Sequence, residues 1–209
     1  MPCLSHLVWR KCLDKVWPGW KVLMDENEIE EAVNAGTVLL HGCSLENVAN
    51  IIVDNRLRND IRDHGGPLGV SLTRSLAIAE SFGKASEEDF SEILYDWYEL
   101  KTGLAAQTRK GAILVFKRSD LTDLALVEYD DFEGSGPNEQ EERVLGQINN
   151  AFRRLSSILV DRAEYDWFRS VVDQHFRAMN EPADKLLAAL TKAESKIVFK
   201  DEPVLALAM

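Results

Sequence analysis

A histidine and a glycine at the end of an apolar run form the first group of residues whose types suit ligand chemistry. His41 and Gly42 directly follow the run 37–40. A histidine at such a position can donate or accept hydrogen bonds to a hydroxyl group, and a glycine lets a ligand approach the backbone closely. The pair His64-Gly65 repeats the dipeptide inside a charged loop, and we interpret that copy as a turn.

A second group combines a short β-like run with an aromatic residue on the helix that follows it. Ser71 and Thr73 share one side of the predicted strand 69–73, and Arg74 comes directly after it. Phe82 lies on the predicted helix beyond, where its ring can stack on a flat and preferably cationic ring. The alternative is a core aromatic, because Ile78 and Ala79 lie at helical spacing from it.

The third group is acidic and lies late in the chain. Glu139, Glu141 and Glu142 leave the loop 130–140 and enter a strand-like run that continues with Arg143-Val144-Leu145. A carboxylate at the start of a strand can stabilise a developing positive charge or take a proton from a nucleophile. The alternative is a solvated acidic loop end.

Other catalytic and metal-binding patterns are missing from the sequence. Cys3, His6, Cys12 and Cys43 have no paired CxxC spacing, so no metal site is expected. The sequence has no GxGxxG, Walker, GxSxG or HExxH motif. A nucleophile pair of Cys43 with His41 or His175 stays open, although nothing in the sequence positions it.

Helical and strand-like patterns follow one another without strict alternation, which predicts an α+β protein. Strands are predicted at 38–40, 69–73, 111–116, 124–129, 143–145, 155–160 and 196–199. Helices are predicted at 25–35, from the N-cap Ser44 to Asn55, after Ser75, and at 87–101, 165–179 and 182–192. We expect one domain over residues 1–209, with an N-terminal arm and helix at 1–36, a core at 37–160, and C-terminal helices and a last strand at 161–209.

Composition limits the classes of partner. The formal net charge of −11 opposes general nucleic-acid or anionic-membrane binding, although a local basic patch can still bind a small phosphate ligand. Three cysteines are too few for a disulfide scaffold, which favours a reducing, cytoplasmic location. No stretch reaches the roughly 20 apolar residues of a membrane span, so no membrane partner is expected.

Taken together, the three groups resemble the ADP-ribosyltransferase fold. The similarity is to the diphtheria-toxin and poly(ADP-ribose) polymerase branch, whose motifs are a His, an aromatic residue (usually Tyr) and a Glu on successive elements. His41-Gly42 matches the first motif, and Gly69-Val70-Ser71-Leu72 with Phe82 matches the second. Glu142 is chosen for the third, with Glu141 as its close rival. The resemblance covers residues 37–160 and implies a split mixed β-sheet core with flanking helices.

The sequence departs from this branch in one motif and shares features with another. Phe82 replaces the usual Tyr, which keeps stacking but loses a hydroxyl. Ser71-Leu72-Thr73 and Gln140-x-Glu142 are also similar to the arginine-serine-glutamate branch. That branch has an arginine where this chain has His41, so we keep the histidine branch.

The resemblance implies an enzyme that cleaves the nicotinamide–ribose bond of NAD and transfers ADP-ribose to an unknown protein or nucleic-acid acceptor. In it Glu142 holds the ribose 2′-hydroxyl beside an oxocarbenium-like centre, and His41 holds a ribose hydroxyl. Gly42 holds the carboxamide, and Phe82 stacks on the pyridinium. Ser71, Thr73 and Arg74 complete the NAD-binding set, and Arg56, Arg58 and Arg62 are further pyrophosphate candidates. The alternatives are an NAD glycohydrolase or an inactive module that binds ADP-ribose or a protein partner.

Overall fold

A computed structural model describes residues 23–58, 69–83, 111–128, 140–177 and 183–200. Its helices are α1 (Glu26–Asn34), α2 (Leu45–Asp54), α3 (Leu76–Gly83), α4 (Ala151–Arg154), α5 (Arg162–Val171) and α6 (Ala183–Ala193). Its strands are β1 (Val38–Cys43), β2 (Arg56–Leu57), β3 (Gly69–Thr73), β4 (Ala112–Lys117), β5 (Leu126–Glu128), β6 (Glu141–Leu145), β7 (Ile148–Asn149), β8 (Leu155–Val160) and β9 (Ile197–Phe199). The predicted helix at 87–101 lies outside the described residues.

Seven strands form one sheet in the order β5-β6-β3-β1-β4-β8-β9, and β2 pairs with β7 in a small second ladder. The recorded pairings in the large sheet are antiparallel except for β8 with β9, which is parallel. The α+β class predicted from the sequence is therefore confirmed, with helices flanking a mostly antiparallel sheet.

Each face of the sheet carries its own hydrophobic cluster, because successive strand residues point to opposite faces. Leu39 of β1 belongs to the larger cluster, which includes side chains of α2, α5 and α6. Leu40, the next residue, belongs to the smaller cluster with Ile29 of α1 and Ala79 of α3. The two positions are fully buried, so β1 is a central strand whose two faces are both covered.

Local capping explains why several helices begin where they do. Asp25 and Glu28 form a reciprocal capping box at the start of α1. The Ser44 hydroxyl accepts from the Asn47 amide at 3.2 Å and begins α2. Asn55 ends α2 in the left-handed conformation at φ 49°. The helix start predicted at Tyr165 lies three residues too late, because Asp161 caps α5 by accepting from the Ala163 and Glu164 amides.

Candidate functional site

Strand β3 lies between the two strands that carry the predicted histidine and glutamate. On one side Thr73 of β3 pairs with Leu40 of β1, and His41 is the next residue of β1. On the other side Leu72 of β3 pairs with Glu142 of β6. The fold therefore places His41 and Glu142 on opposite sides of the same short strand, although 100 residues of sequence separate them.

Strands β1 and β3 pair at one position, Leu40 with Thr73. Beyond that pair, the side chain of His41 links the two strands. His41 Nδ1 lies 2.9 Å from the Ser71 carbonyl oxygen of β3. A carbonyl only accepts, so the neutral ring carries its proton on Nδ1 and leaves Nε2 as an acceptor. Burial lowers the pKa of His41 below its ordinary value of 6.5, and the bond to Ser71 opposes part of that effect. The ring is therefore a neutral acceptor near pH 7.

Gly42 brings helix α3 into direct contact with β1. A Cβ atom at Gly42 would lie 1.9 Å from the Ala79 carbonyl oxygen and 2.7 Å from the Gly83 nitrogen. Gly111, just before β4, has φ +64° and would place a Cβ atom 1.5 Å from the Gly83 carbonyl oxygen. Gly42 on β1 and Gly111 just before β4 thus let the end of α3 lie directly on the sheet.

The ring of Phe82 is 64% exposed near the end of this seated helix. The alternative interpretation of a core aromatic is therefore wrong, because Ala79 occupies the buried position of α3. The start of the helix is held by Ser75, whose hydroxyl accepts from the Ile78 amide at 3.3 Å. The exposed ring is open for stacking on a ligand.

Ser71 and Thr73 have different environments on β3. The Ser71 side chain is exposed, whereas Thr73 is 6% exposed. The Thr73 hydroxyl accepts from the Ser75 amide at 3.0 Å, so it supports the turn into α3. Of the two residues, Ser71 has the side chain that is open to a ligand.

Glu142 is fully buried and holds two arginines through the same oxygen. The Arg118 guanidinium donates to its Oε1, and Arg74 Nε lies 3.3 Å from that oxygen. Oε2 accepts no hydrogen bond from any residue that the structure describes. An unpaired buried acceptor carries a desolvation cost of about 1–3 kcal/mol, so this oxygen favours the arrival of a donor.

Arg118 is the residue of this site that the sequence did not identify. It follows β4 on a 3-10 helix, Arg118–Leu121. Its Nε donates to the Gly36 carbonyl at 3.1 Å, and its backbone amide donates to the Thr37 carbonyl at 2.9 Å. These bonds fix the guanidinium at the entry to β1, from which it orients Glu142. Its position two residues after the predicted strand 111–116 was the only sequence signal.

Glu141, the rival glutamate, has a different environment. Its Oε1 accepts from Arg143 Nε at 2.7 Å, and both side chains are partly buried. Alternation along β6 places Glu141 on the opposite face from Glu142. Glu139 lies outside the described residues. Both glutamates lie at the start of β6, where the sequence pattern predicts a strand that opens with glutamate.

Phe82 and Glu142 approach the sheet from different faces. Ala79 of α3 belongs to the smaller hydrophobic cluster, whereas Val144, which shares a face with Glu142, belongs to the larger one. A ligand that touches both Phe82 and Glu142 must therefore cross the sheet.

The remaining candidates that the structure describes form no second site. Arg56 is exposed, Arg58 pairs with Asp54 at 2.6 Å, and Arg62 lies outside the described residues. Cys43 is a buried thiol that is not part of a disulfide, whereas Cys3, His6 and Cys12 lie outside the described part of the chain. Within that described part, no group of three or more His, Cys, Asp or Glu side chains is placed to hold a metal ion.

The described helices include none with the length and apolar character needed to cross a membrane. Comparison of the chain with protein families, with curated proteins and with solved structures finds no match.

Proposed function

We propose that this protein is an NAD-dependent ADP-ribosyltransferase whose site is formed by His41, Gly42, Phe82 and Glu142. The observation that carries the proposal is the unpaired, buried Oε2 of Glu142, one strand away from a neutral histidine with a free acceptor nitrogen. The hydroxyl groups of a ribose can donate the hydrogen bonds that Glu142 Oε2 and His41 Nε2 do not receive from the described residues.

Each side chain has a role that follows from its surroundings. His41 Nε2 accepts from one ribose hydroxyl, since Nδ1 is bound to Ser71. The exposed ring of Phe82 stacks on the cationic nicotinamide. The resemblance assigns the carboxamide to the Gly42 backbone, which a ligand must reach from the side that α3 does not cover. Loss of nicotinamide leaves positive charge on the ribose, which the Glu142 carboxylate stabilises while Oε2 holds the 2′-hydroxyl. ADP-ribose then passes to a nucleophile of the acceptor, which gives up its proton.

Access to Glu142 requires a rearrangement, because its carboxylate is fully buried in this conformation. Arg74 and Arg118 are the side chains in contact with it, with 37% and 32% of their surfaces exposed. We propose that the phosphates of NAD attract the more exposed Arg74 away from Oε1, while Arg118 stays anchored to Gly36.

The test compares nicotinamide release by the wild type, Glu142→Gln and Glu141→Gln in the presence of NAD and an acceptor lysate. Loss of the buried carboxylate should lower release on the order of 10²–10⁴-fold, whereas Glu141→Gln should keep most of it. The variants are matched, since the same change is made on adjacent residues of one strand. Equal release by the wild type and Glu142→Gln contradicts the proposal.

A second candidate is a module of the same type that binds ADP-ribose without turnover. The observation in its favour is the same buried carboxylate, because a glutamate that holds two arginines also has a structural role. This alternative predicts that ADP-ribose gives a calorimetric binding signal while the wild type releases no nicotinamide. Release of free ADP-ribose with no labelled macromolecule indicates a glycohydrolase.

A further inference from the structure

A groove of about 790 Å³ lies apart from Glu142, next to the short helix α4. Its lining consists of Asp120, Asn150, Phe152, Arg153, Arg154 and Lys196. Its volume is within the range of small-molecule sites, about 300–1,000 Å³. None of the residues assigned to the candidate NAD site lines it.

Positive charge collects around this groove in a chain whose formal net charge is −11. Two ammonium groups lie over the ring of Phe152, Lys192 Nζ at 4.7 Å and Lys196 Nζ at 5.0 Å from its centroid. Cation–π attraction holds both groups near the ring. Lys196 also donates to the Leu155 carbonyl, which fixes its position further. Two like charges beside one ring repel each other, and an anion between them relieves that repulsion.

The charges are only partly neutralised by the protein. Arg154 is held by Asp123 through two bonds of 2.6 and 2.7 Å, so its charge is balanced. Arg153 and Lys192 are exposed, and the described residues include no carboxylate paired with either. Among the described residues that line the groove, Asp120 is the one that is acidic. The groove therefore keeps a net positive charge.

Other arginines in the described structure contrast with this pattern. Arg143 pairs with Glu141, Arg169 pairs with Glu194, and Arg177 pairs with Asp173. Pairing is thus common for this acidic surface. The groove is distinguished by two exposed cations, Arg153 and Lys192, which have no carboxylate partner among the described residues and lie beside a concave space that Phe152 lines.

We propose that this groove binds a small phosphate-bearing molecule of about nucleotide size. Phosphate oxygens match the available ammonium and guanidinium donors, and Phe152 holds the two lysines in position before the ligand arrives. The proposal is independent of the chemistry at Glu142. The acidic remainder of the surface opposes a long polyanion, which favours a small ligand over a nucleic acid.

The test measures binding of inorganic tripolyphosphate and of ADP by calorimetry at low salt. Lys192→Glu and Arg153→Glu should each weaken tripolyphosphate binding about tenfold or more, because each removes a charged donor. Lys185→Glu is the matched control, since it makes the same charge change at an exposed position on the same helix, α6. It should change the affinity by no more than about twofold, because exposed charges at a distance are screened.

Two further measurements separate this site from its alternatives. Saturating NAD should leave tripolyphosphate affinity unchanged, and Lys192→Glu should release nicotinamide at the rate of the wild type. Equal weakening by Lys185→Glu and Lys192→Glu would show general electrostatics and overturn the proposal. Displacement of tripolyphosphate by NAD, or tighter binding of a single-stranded oligonucleotide than of ADP, would also overturn it.

Discussion

At the scale of single residues, the environment of His41 determines both its tautomer and its response to pH. The Ser71 carbonyl fixes the proton on Nδ1 of the neutral ring. Burial lowers the pKa in the folded protein, so between the folded and unfolded pKa values the unfolded chain binds more protons. The contribution of His41 to the free energy of unfolding is therefore fully present above pH 6.5, and it is lost as the pH drops toward the pKa of the folded protein.

His41→Asn tests this linkage. The wild type should lose more free energy of unfolding between pH 8 and pH 5 than the variant does, because the variant has no ring to protonate. Urea unfolding at the two pH values measures the difference. An equal loss in both proteins would show that other groups cause the acid sensitivity.

The environment of Glu142 could be predicted only in part from the residues near it in the sequence. The sequence indicated a carboxylate beside a strand, and Glu142 was chosen over Glu141 because it precedes Arg143. In the structure the two glutamates lie on opposite faces of β6 and have different partners. Which face each one takes depends on the register of β6 with β3 and β5. The contact of Arg118 with Glu142 depends on that register as well, so residue spacing alone did not reveal it.

At the scale of elements, the contact between α3 and β1 depends on a glycine, because Gly42 has no side chain to keep the helix away from the strand. Gly42→Ala should lower the free energy of unfolding, because the added Cβ atom would overlap the rigid Ala79 carbonyl. Overpacking costs roughly 1–3 kcal/mol, and we expect a loss at the upper end of that range or above it. Gly36→Ala is the comparison. Gly36 has φ +66° with no atom within 4 Å of the added Cβ, so it adds only left-handed strain of about 1–2 kcal/mol.

Urea unfolding of both variants measures these costs. A larger loss in Gly42→Ala isolates the effect of the steric contact from that of backbone strain. If Gly42→Ala costs no more than Gly36→Ala, the close seating of α3 on β1 is wrong.

The elements that the sequence predicted share strong local signals. β-Branched runs marked β3, β4 and β8, and the N-cap candidates Ser44 and Ser75 marked the starts of α2 and α3. The sequence did not predict strands β2 and β7, which pair with each other. A strand of two residues has no periodicity and forms only through its partner. Helix α5 also continues into a π-helical turn, Val172–Phe176, which hydrophobic spacing does not distinguish from an α-helix.

At the scale of the whole molecule, the α+β class was predictable because class follows from the types of element. The order of strands was not, because it is set by contacts between distant parts of the chain. Both the candidate NAD site and the groove at Phe152 arise from that order. The 3-10 helix Arg118–Leu121 contributes to each, Arg118 to Glu142 and Asp120 to the groove.

The position of β1 in the middle of the sheet has a consequence for how the chain acquires its structure. Its most extensive partner is β4, so Val38 must find Lys117 and Cys43 must find Ala112. The paired residues of β1 and β4 lie 69 to 79 positions apart in the sequence, so β1 has no complete neighbour until β4 has been synthesised. Pairings of such long range carry a large loop-closure cost, and we expect refolding on the order of milliseconds to seconds. Stopped-flow fluorescence measures this rate, and folding within microseconds would contradict the expectation.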